Sequence, residues 1–133
     1  NGYVVGVDVD QHYIGEKAVA ENGYNPFVTS AMKGLYPATF DTLTDVIVNG
    51  NWEKYSGKID TLGLVSADDP AANYVQIPMG EGTQWSDSFT QDDYKAMVKD
   101  MFDGKITVSN DVSKTPSDFA TVIAVEDQGA IKG

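Results

Sequence analysis

The sequence contains no cysteine, a single histidine and few positive charges. The absence of cysteine excludes disulfides, thiolate metal sites and cysteine nucleophiles. Nine Lys and Arg residues stand against 20 Asp and Glu residues, which gives a formal net charge of −11. Because the phosphates of nucleic acids and anionic membrane surfaces repel such a protein, we expect no nucleic-acid partner.

Long apolar runs are also missing. No stretch reaches the roughly 20 apolar residues that a membrane helix needs, and no basic segment precedes an apolar one at the start. A chain of 133 residues can bury one ordinary core, so we expect one domain. Asn1 and Gly2 lie directly before a strand-like run, without an initiator Met, and we therefore expect a soluble piece of a longer protein.

The first fifty residues alternate between strand and helix signals. Residues 4–9, VVGVDV, form an extended apolar run in which the first charge is Asp8, as in a strand covered on both faces. The predicted elements are a strand that ends at Asp8, a helix over 15–23, a strand over 27–31 and a helix from Pro37 to residue 49. This order predicts right-handed βαβ units and a parallel sheet, hence an α/β fold.

The rest of the chain gives shorter signals. Thr90 is a helix cap with two acids in the first turn, and apolar residues then recur at helical spacing until Gly104. The predicted elements are a hairpin-like pair of strands over 60–65 and 73–77, a helix over 90–104, strands over 106–108 and 121–125, and a loop over 113–118.

Two charged residues follow the first two predicted strands. Asp8 ends the first strand, and Lys33 follows the second by about one turn. The carboxyl ends of parallel strands meet at one edge of a sheet, which is where open α/β folds bind ligands. We therefore expect Asp8 and Lys33 to form an acceptor and donor pair, which suits the vicinal hydroxyls of a ribose.

The order of the segments GVDVDQ (residues 6–11), VTSAMK (28–33) and DGKI (103–106) resembles the basic membrane protein family of ABC-transporter substrate-binding lipoproteins, the purine nucleoside receptor A-like group. The resemblance spans most of residues 3–108. It implies that residues 1–133 are the later part of the C-terminal lobe of a type I periplasmic-binding-protein fold, a truncated three-layer lobe with a parallel sheet. The N-terminal lobe and the lipid anchor would lie outside this chain.

The family resemblance also implies a function. It predicts an extracytoplasmic, membrane-anchored binding component of an ABC importer, which binds a nucleoside, a purine in preference to a pyrimidine, in a cleft between two lobes. The expected partners are a permease and the N-terminal lobe of the same protein, with no cofactor and no enzymatic activity. Asp8 and Lys33 would bind the ribose, and Asp10 and Gln11 belong to the same motif. The alternatives are a free sugar or another small polar solute as ligand, or a sensor domain of the same fold.

The residues themselves leave other roles open. Asp8 could cap the following turn through its carboxylate, and Asp10 and Gln11 could hold the loop that presents Asp8. Lys33 could be an ordinary solvated lysine. Asp10 and Asp8 resemble the start of a calcium loop, but the later ligand positions do not match, so we expect no metal site.

An enzyme is the third hypothesis, because residues 30–33, SAMK, match the S-x-x-K motif of penicillin-recognising enzymes. The other motifs of those enzymes are missing, so the match is expected by chance. His12 is placed in a loop, and Tyr13 and Trp85, also in predicted loops, are candidates for the wall of a ligand cleft.

Overall fold

The computed structural model describes residues 2–122, 124–126 and 128–129 as a mixed α/β fold. In this part of the chain the sheet has three strands in the order β1-β2-β3. The strands are β1 (Val4–Asp8), β2 (Phe27–Lys33) and β3 (Val75–Gln76), and helix α1 (His12–Asn22) connects the first two. β1 and β2 run parallel, which confirms the predicted βαβ unit. β3 runs antiparallel to β2, so the prediction of a parallel sheet is correct only for the first pair.

The remaining helices come after β2 along the chain. They are α2 (Leu35–Leu43), which continues into a π-helical turn (Thr44–Val48), α3 (Gln91–Phe102), α4 (Pro116–Phe119) and the 3-10 turns Trp52–Lys54 and Pro70–Ala72. None of the helices in the described ranges is both long and apolar enough to cross a membrane.

Helix α3 forms where its sequence signals predict it. Thr90 Oγ1 accepts a hydrogen bond from Asp93 N at 3.2 Å, and Asp93 Oδ2 accepts one from Thr90 N at 2.8 Å. These reciprocal bonds satisfy two backbone donors at the start of the helix. The apolar face buries Tyr94 and Val98, the two buried hydrophobic side chains among the described residues. This face therefore provides most of the small core.

The predicted hairpin between residues 60–65 and 73–77 is wrong. Residues 60–65 form no strand, and Val75–Gln76 pairs with β2 instead. The fully buried side chain of Asn73 explains the difference. Its Oδ1 accepts bonds from Val65 N and Ser66 N at 2.7 and 2.8 Å, and its Nδ2 donates to Ser66 O at 3.1 Å. One amide side chain thus satisfies the backbone groups that a neighbouring strand would otherwise pair with.

Two predictions near the end of the chain are also wrong. Residues 106–108 are not a strand, and neither are the described residues of 121–125, of which Ile123 lies outside the described set. The predicted loop over 113–118 contains the start of α4, where Thr115 and Asp118 form a second capping box. The sequence TPSD carries the same signal that identified α3, with Pro116 at a position that helices favour.

The faces of the sheet are largely open. Val5 and Val7 of β1 are 60% and 57% exposed, so the expectation of a strand covered on both faces is wrong for the structure as described. The surface of the chain is 10067 Å², compared with the roughly 6,800 Å² that size scaling gives for a compact protein of 14.3 kDa. The fold therefore exposes more surface than a compact protein of this size, and the valines of β1 are part of that surface.

Candidate functional site

The ends of β1 and β2 bring two opposite charges together. Asp8 is the last residue of β1 and Lys33 is the last residue of β2. Because the strands are parallel, both ends lie at the same edge of the sheet, and Lys33 Nζ lies 2.6 Å from Asp8 Oδ1. The side chains of Lys33 and Asp8 are 66% and 55% exposed. The predicted pair therefore forms at the surface, where a solute can reach it.

Asp8 has an unusual backbone conformation. Its φ of 72° is the one positive φ among the described residues other than glycine. Val9 N donates a hydrogen bond to Val7 O at 2.9 Å, so Asp8 is the central residue of a γ-turn with positive φ, which is the rare and strained form. Strained residues of this kind are concentrated at binding and catalytic sites. The turn ends the strand and exposes the Asp8 carboxylate.

Asp10 and Gln11 hold this turn in place. Asp10 Oδ1 accepts a bond from His12 N at 3.0 Å at the start of α1, and Gln11 Oε1 accepts one from Val7 N at 3.0 Å. Asp10, and not Asp8, therefore caps the turn that follows the strand. These contacts support the alternative in which Asp10 and Gln11 form the loop that presents Asp8, while their contact with a ligand stays a prediction.

A tight packing contact joins this loop to β2. Gln11 N donates to Ser30 Oγ at 3.0 Å, and Ser30 is fully buried. Gly6 lies between them, because a β-carbon on Gly6 would be 2.5 Å from Ser30 Oγ and 2.8 Å from Gln11 Oε1. We call Gly6, Gln11 and Ser30 the strand lock. It connects the motif of the first strand to that of the second.

The S-x-x-K pair is not assembled as a nucleophile and base. Ser30 Oγ is buried and already bonded to Gln11 N, whereas Lys33 is at the exposed edge and pairs with Asp8. Residues three apart on a strand point to opposite faces, which separates the two side chains. His12 is also not in a loop as predicted, because it is the first residue of α1.

An apolar groove of about 330 Å³ lies beside the ion pair, between the sheet and α3. Met32 and Lys33 of β2, Val75 of β3 and Met97 and Met101 of α3 are among the residues that line it. The helical spacing in the sequence identified the apolar face of α3 but gave no indication of a groove. In the structure, Met97 and Met101 are only half-buried, and the groove remains open.

Tyr94 forms part of the groove and joins α3 to the end of β3. Its hydroxyl accepts a bond from Ile77 N at 3.3 Å, and burial raises the pKa of Tyr94 above its ordinary value. Trp85 packs behind Tyr94 with ring centres 6.0 Å apart. Trp85 Nε1 is buried without a hydrogen-bond partner among the described residues. Tyr13, the other predicted cleft residue, is in α1 and not in a loop.

The described residues contain no cluster of three or more His, Cys, Asp or Glu side chains that could hold a metal ion.

Comparison of the chain with known protein families, curated proteins and solved structures found no match. The candidate site is therefore defined by its own geometry, which consists of an exposed ion pair at a strained strand end and an apolar groove beside it.

Proposed function

We propose that this protein binds a small polar molecule that carries vicinal hydroxyl groups, with a ribonucleoside as the first candidate. The observation that carries the proposal is the exposed pair of Asp8 and Lys33 at the shared strand edge. Each ligand hydroxyl can donate to the carboxylate and accept from the ammonium, and the ammonium has three donors of which Asp8 uses one. The pair thus has free hydrogen-bonding capacity for a diol.

A purely structural role explains the pair poorly. An ion pair with both side chains more than half exposed contributes only about 0 to 1 kcal/mol to stability. The positive φ of Asp8 works in the opposite direction, because a γ-turn of this form holds the backbone in a sparsely populated conformation that costs roughly 1 to 3 kcal/mol. A strained turn that presents a weakly stabilising charge is better explained by ligand binding.

The wider role that we propose is that of an extracytoplasmic solute-binding component of an ABC importer, with a purine nucleoside as ligand. The resemblance of GVDVDQ and VTSAMK to the basic membrane protein family supports this role, and the parallel β1-α1-β2 unit is compatible with a lobe of the type I fold. A free sugar is the alternative ligand, because the ion pair recognises hydroxyls. A sensor domain is less well supported, because it would not require Asp8 and Lys33 to share a site.

The test compares adenosine with 2′,3′-dideoxyadenosine, which lacks the diol, by NMR titration of the purified chain. We expect adenosine to bind more tightly and to shift the backbone signals of Asp8 and Lys33. Asp8→Asn removes the charge but keeps a residue that tolerates positive φ. Asp8→Asn and Lys33→Met should each weaken adenosine by about 10-fold to 150-fold, the effect of a lost charged hydrogen bond.

Lys95→Met is the matched control. Lys95 also forms an exposed ion pair, with Asp92 on the surface of α3, so its replacement removes the same charge away from the site. We expect Lys95→Met to bind adenosine like the unmodified chain. Equal affinity for adenosine and dideoxyadenosine, or an equal loss in Lys33→Met and Lys95→Met, would contradict recognition of a diol by the pair.

A further inference from the structure

We propose that the apolar groove between the sheet and α3 receives the apolar body of the same ligand whose hydroxyls contact Asp8 and Lys33. This inference rests on the proposed function and adds the second half of the site. The ligand class is then a molecule with a hydroxylated end and a flat or apolar end, in which both ends contribute to binding.

The two parts of the site share residues. Lys33 lines the groove and also pairs with Asp8 through its ammonium, so one residue belongs to both the polar and the apolar region. Met32 lines the groove and is the register partner of Asp8 across the parallel strands. A ligand hydroxyl at the ion pair therefore places the atoms attached to it near the mouth of the groove.

The lining of the groove suits a ring system. Three of the four methionines of the chain, Met32, Met97 and Met101, line it, and Met79 does not. Methionine side chains adapt to irregular shapes and make favourable contacts between sulfur and aromatic rings. The volume of about 330 Å³ is at the lower end of the range for small-molecule sites. A purine-sized body fits this description better than a long chain does.

The groove offers few polar groups for recognition of a base. Gln76 is in its wall, but Gln76 Nε2 already donates to Ala71 O at 3.2 Å and to Asn73 O at 2.7 Å. The Tyr94 hydroxyl is likewise bonded to Ile77 N. Selection in the groove should therefore depend mostly on size and apolar surface, with the Tyr94 proton and Gln76 Oε1 as the polar contacts left for a base.

The test uses the full chain with ¹³C-labelled methionine methyl groups, which give four NMR signals with Met79 as an internal control. The ligands are adenosine and methyl β-D-ribofuranoside, which has the diol but no base. We expect adenosine to shift the methyl signals of Met32, Met97 and Met101 but not that of Met79. Adenosine should also bind roughly 10-fold or more tightly than the riboside, the effect of removing about 60 Å² of apolar surface from water.

Two variants test the groove by a second route. Met97→Gln places a polar group in the groove and should bring the affinities for adenosine and the riboside closer together. Met79→Gln makes the same change outside the groove and should leave their ratio unchanged. Circular dichroism and a thermal melt of both variants establish that each is folded before the affinities are compared.

The outcomes separate this inference from the proposed function. Equal binding of adenosine and the riboside, or methyl shifts that include Met79 as strongly as the other three, would overturn the groove assignment and leave diol binding in place. Methyl shifts that persist unchanged in Asp8→Asn and Lys33→Met would show that groove and ion pair do not hold one ligand. Failure of both ligands to bind would overturn the proposed function and this inference together.

Discussion

Replacement of Gly6 by Ala tests whether the strand lock positions the site. Gly6 is in the middle of β1 and is the register partner of Ser30 on β2. The new β-carbon would be 2.5 Å from Ser30 Oγ, 2.8 Å from Gln11 Oε1 and 3.0 Å from Gln11 Cβ. Such distances are too short for nonbonded carbon and oxygen atoms, so Ser30 or Gln11 must move.

The loss of stability in Gly6→Ala depends on the contacts that Ser30 and Gln11 make. Ser30 is fully buried, which limits its movement, and displacement of Gln11 weakens its bonds to Ser30 Oγ and Val7 N. Forcing a methyl group into a packed region typically costs about 1 to 3 kcal/mol. The change from Gly to Ala also restricts the unfolded chain, which offsets roughly 0.4 to 1 kcal/mol of this cost. We expect a net loss of about 1 to 2 kcal/mol in the free energy of unfolding.

The assay is urea denaturation followed by circular dichroism, with Gly63→Ala as the control. A β-carbon on Gly63 meets no atom within 4 Å, and Gly63 does not have a positive φ, so Gly63→Ala should be neutral or slightly stabilising. Gly6→Ala should also weaken adenosine, because Gln11 no longer holds the turn at Asp8. Equal urea midpoints for Gly6→Ala and Gly63→Ala would refute the strand lock.

Two further predictions concern local stability. Thr90→Ala should cost about 1 kcal/mol in urea denaturation because α3 loses its capping box, while Thr90→Ser should cost much less, and equal losses would show that the hydroxyl is not the cause. Asp45 accepts hydrogen bonds from Asn51, Lys54 and two further side chains, and these bonds, that of Asn51 first, hold the pKa of Asp45 well below its ordinary value of 3.8. Because the pKa is lowered in the folded state, this contribution to stability is complete above about pH 4 and decreases as the pH falls further. Asp45→Asn should therefore lose less stability than the unmodified chain between pH 6 and pH 3, and parallel losses would contradict this.

The first half of the fold was predictable because its signals are local. β1, α1 and β2 follow from apolar runs and helix formers in the right order, and the ending of α1 at Gly23 was read from the sequence. The proximity of Asp8 and Lys33 then follows from one topological rule, since parallel neighbours end at the same edge. No knowledge of side-chain packing was needed for that step.

Some secondary-structure predictions fail because a side-chain hydrogen bond takes the place of strand pairing. Residues 60–65 have the side chains of a strand, but the backbone N–H groups of residues 65 and 66 donate to the side chain of Asn73. The periodicity of a short segment cannot reveal a partner that lies several residues further along the chain. Residues 106–108 have strand-forming side chains but no partner strand among the described residues. α4 is a different case, because its capping signal at Thr115 was present in the sequence and was missed.

The geometry of the site depends on contacts that a sequence pattern cannot show. The strand lock requires contact between Gly6, Gln11 and Ser30. Gly6 lies in β1, Ser30 lies in β2, and Gln11 lies between β1 and α1. The positive φ of Asp8 is likewise a result of the γ-turn that these contacts stabilise. The groove was missed for a related reason, because half-buried and fully buried methionines have the same spacing along a helix.

The residues of the segment GVDVDQ together position the carboxylate of Asp8. Gly6 leaves room for the lock, Asp8 occupies the apex of the turn, Asp10 starts α1, and Gln11 ties the loop to both strands through Ser30 and the backbone of β1. Each residue has a different role, and each role serves the position of Asp8. These contacts hold the strained backbone of Asp8 in place, so its carboxylate is fixed beside Lys33 and the apolar groove. Selective binding of a small molecule requires this kind of preorganisation.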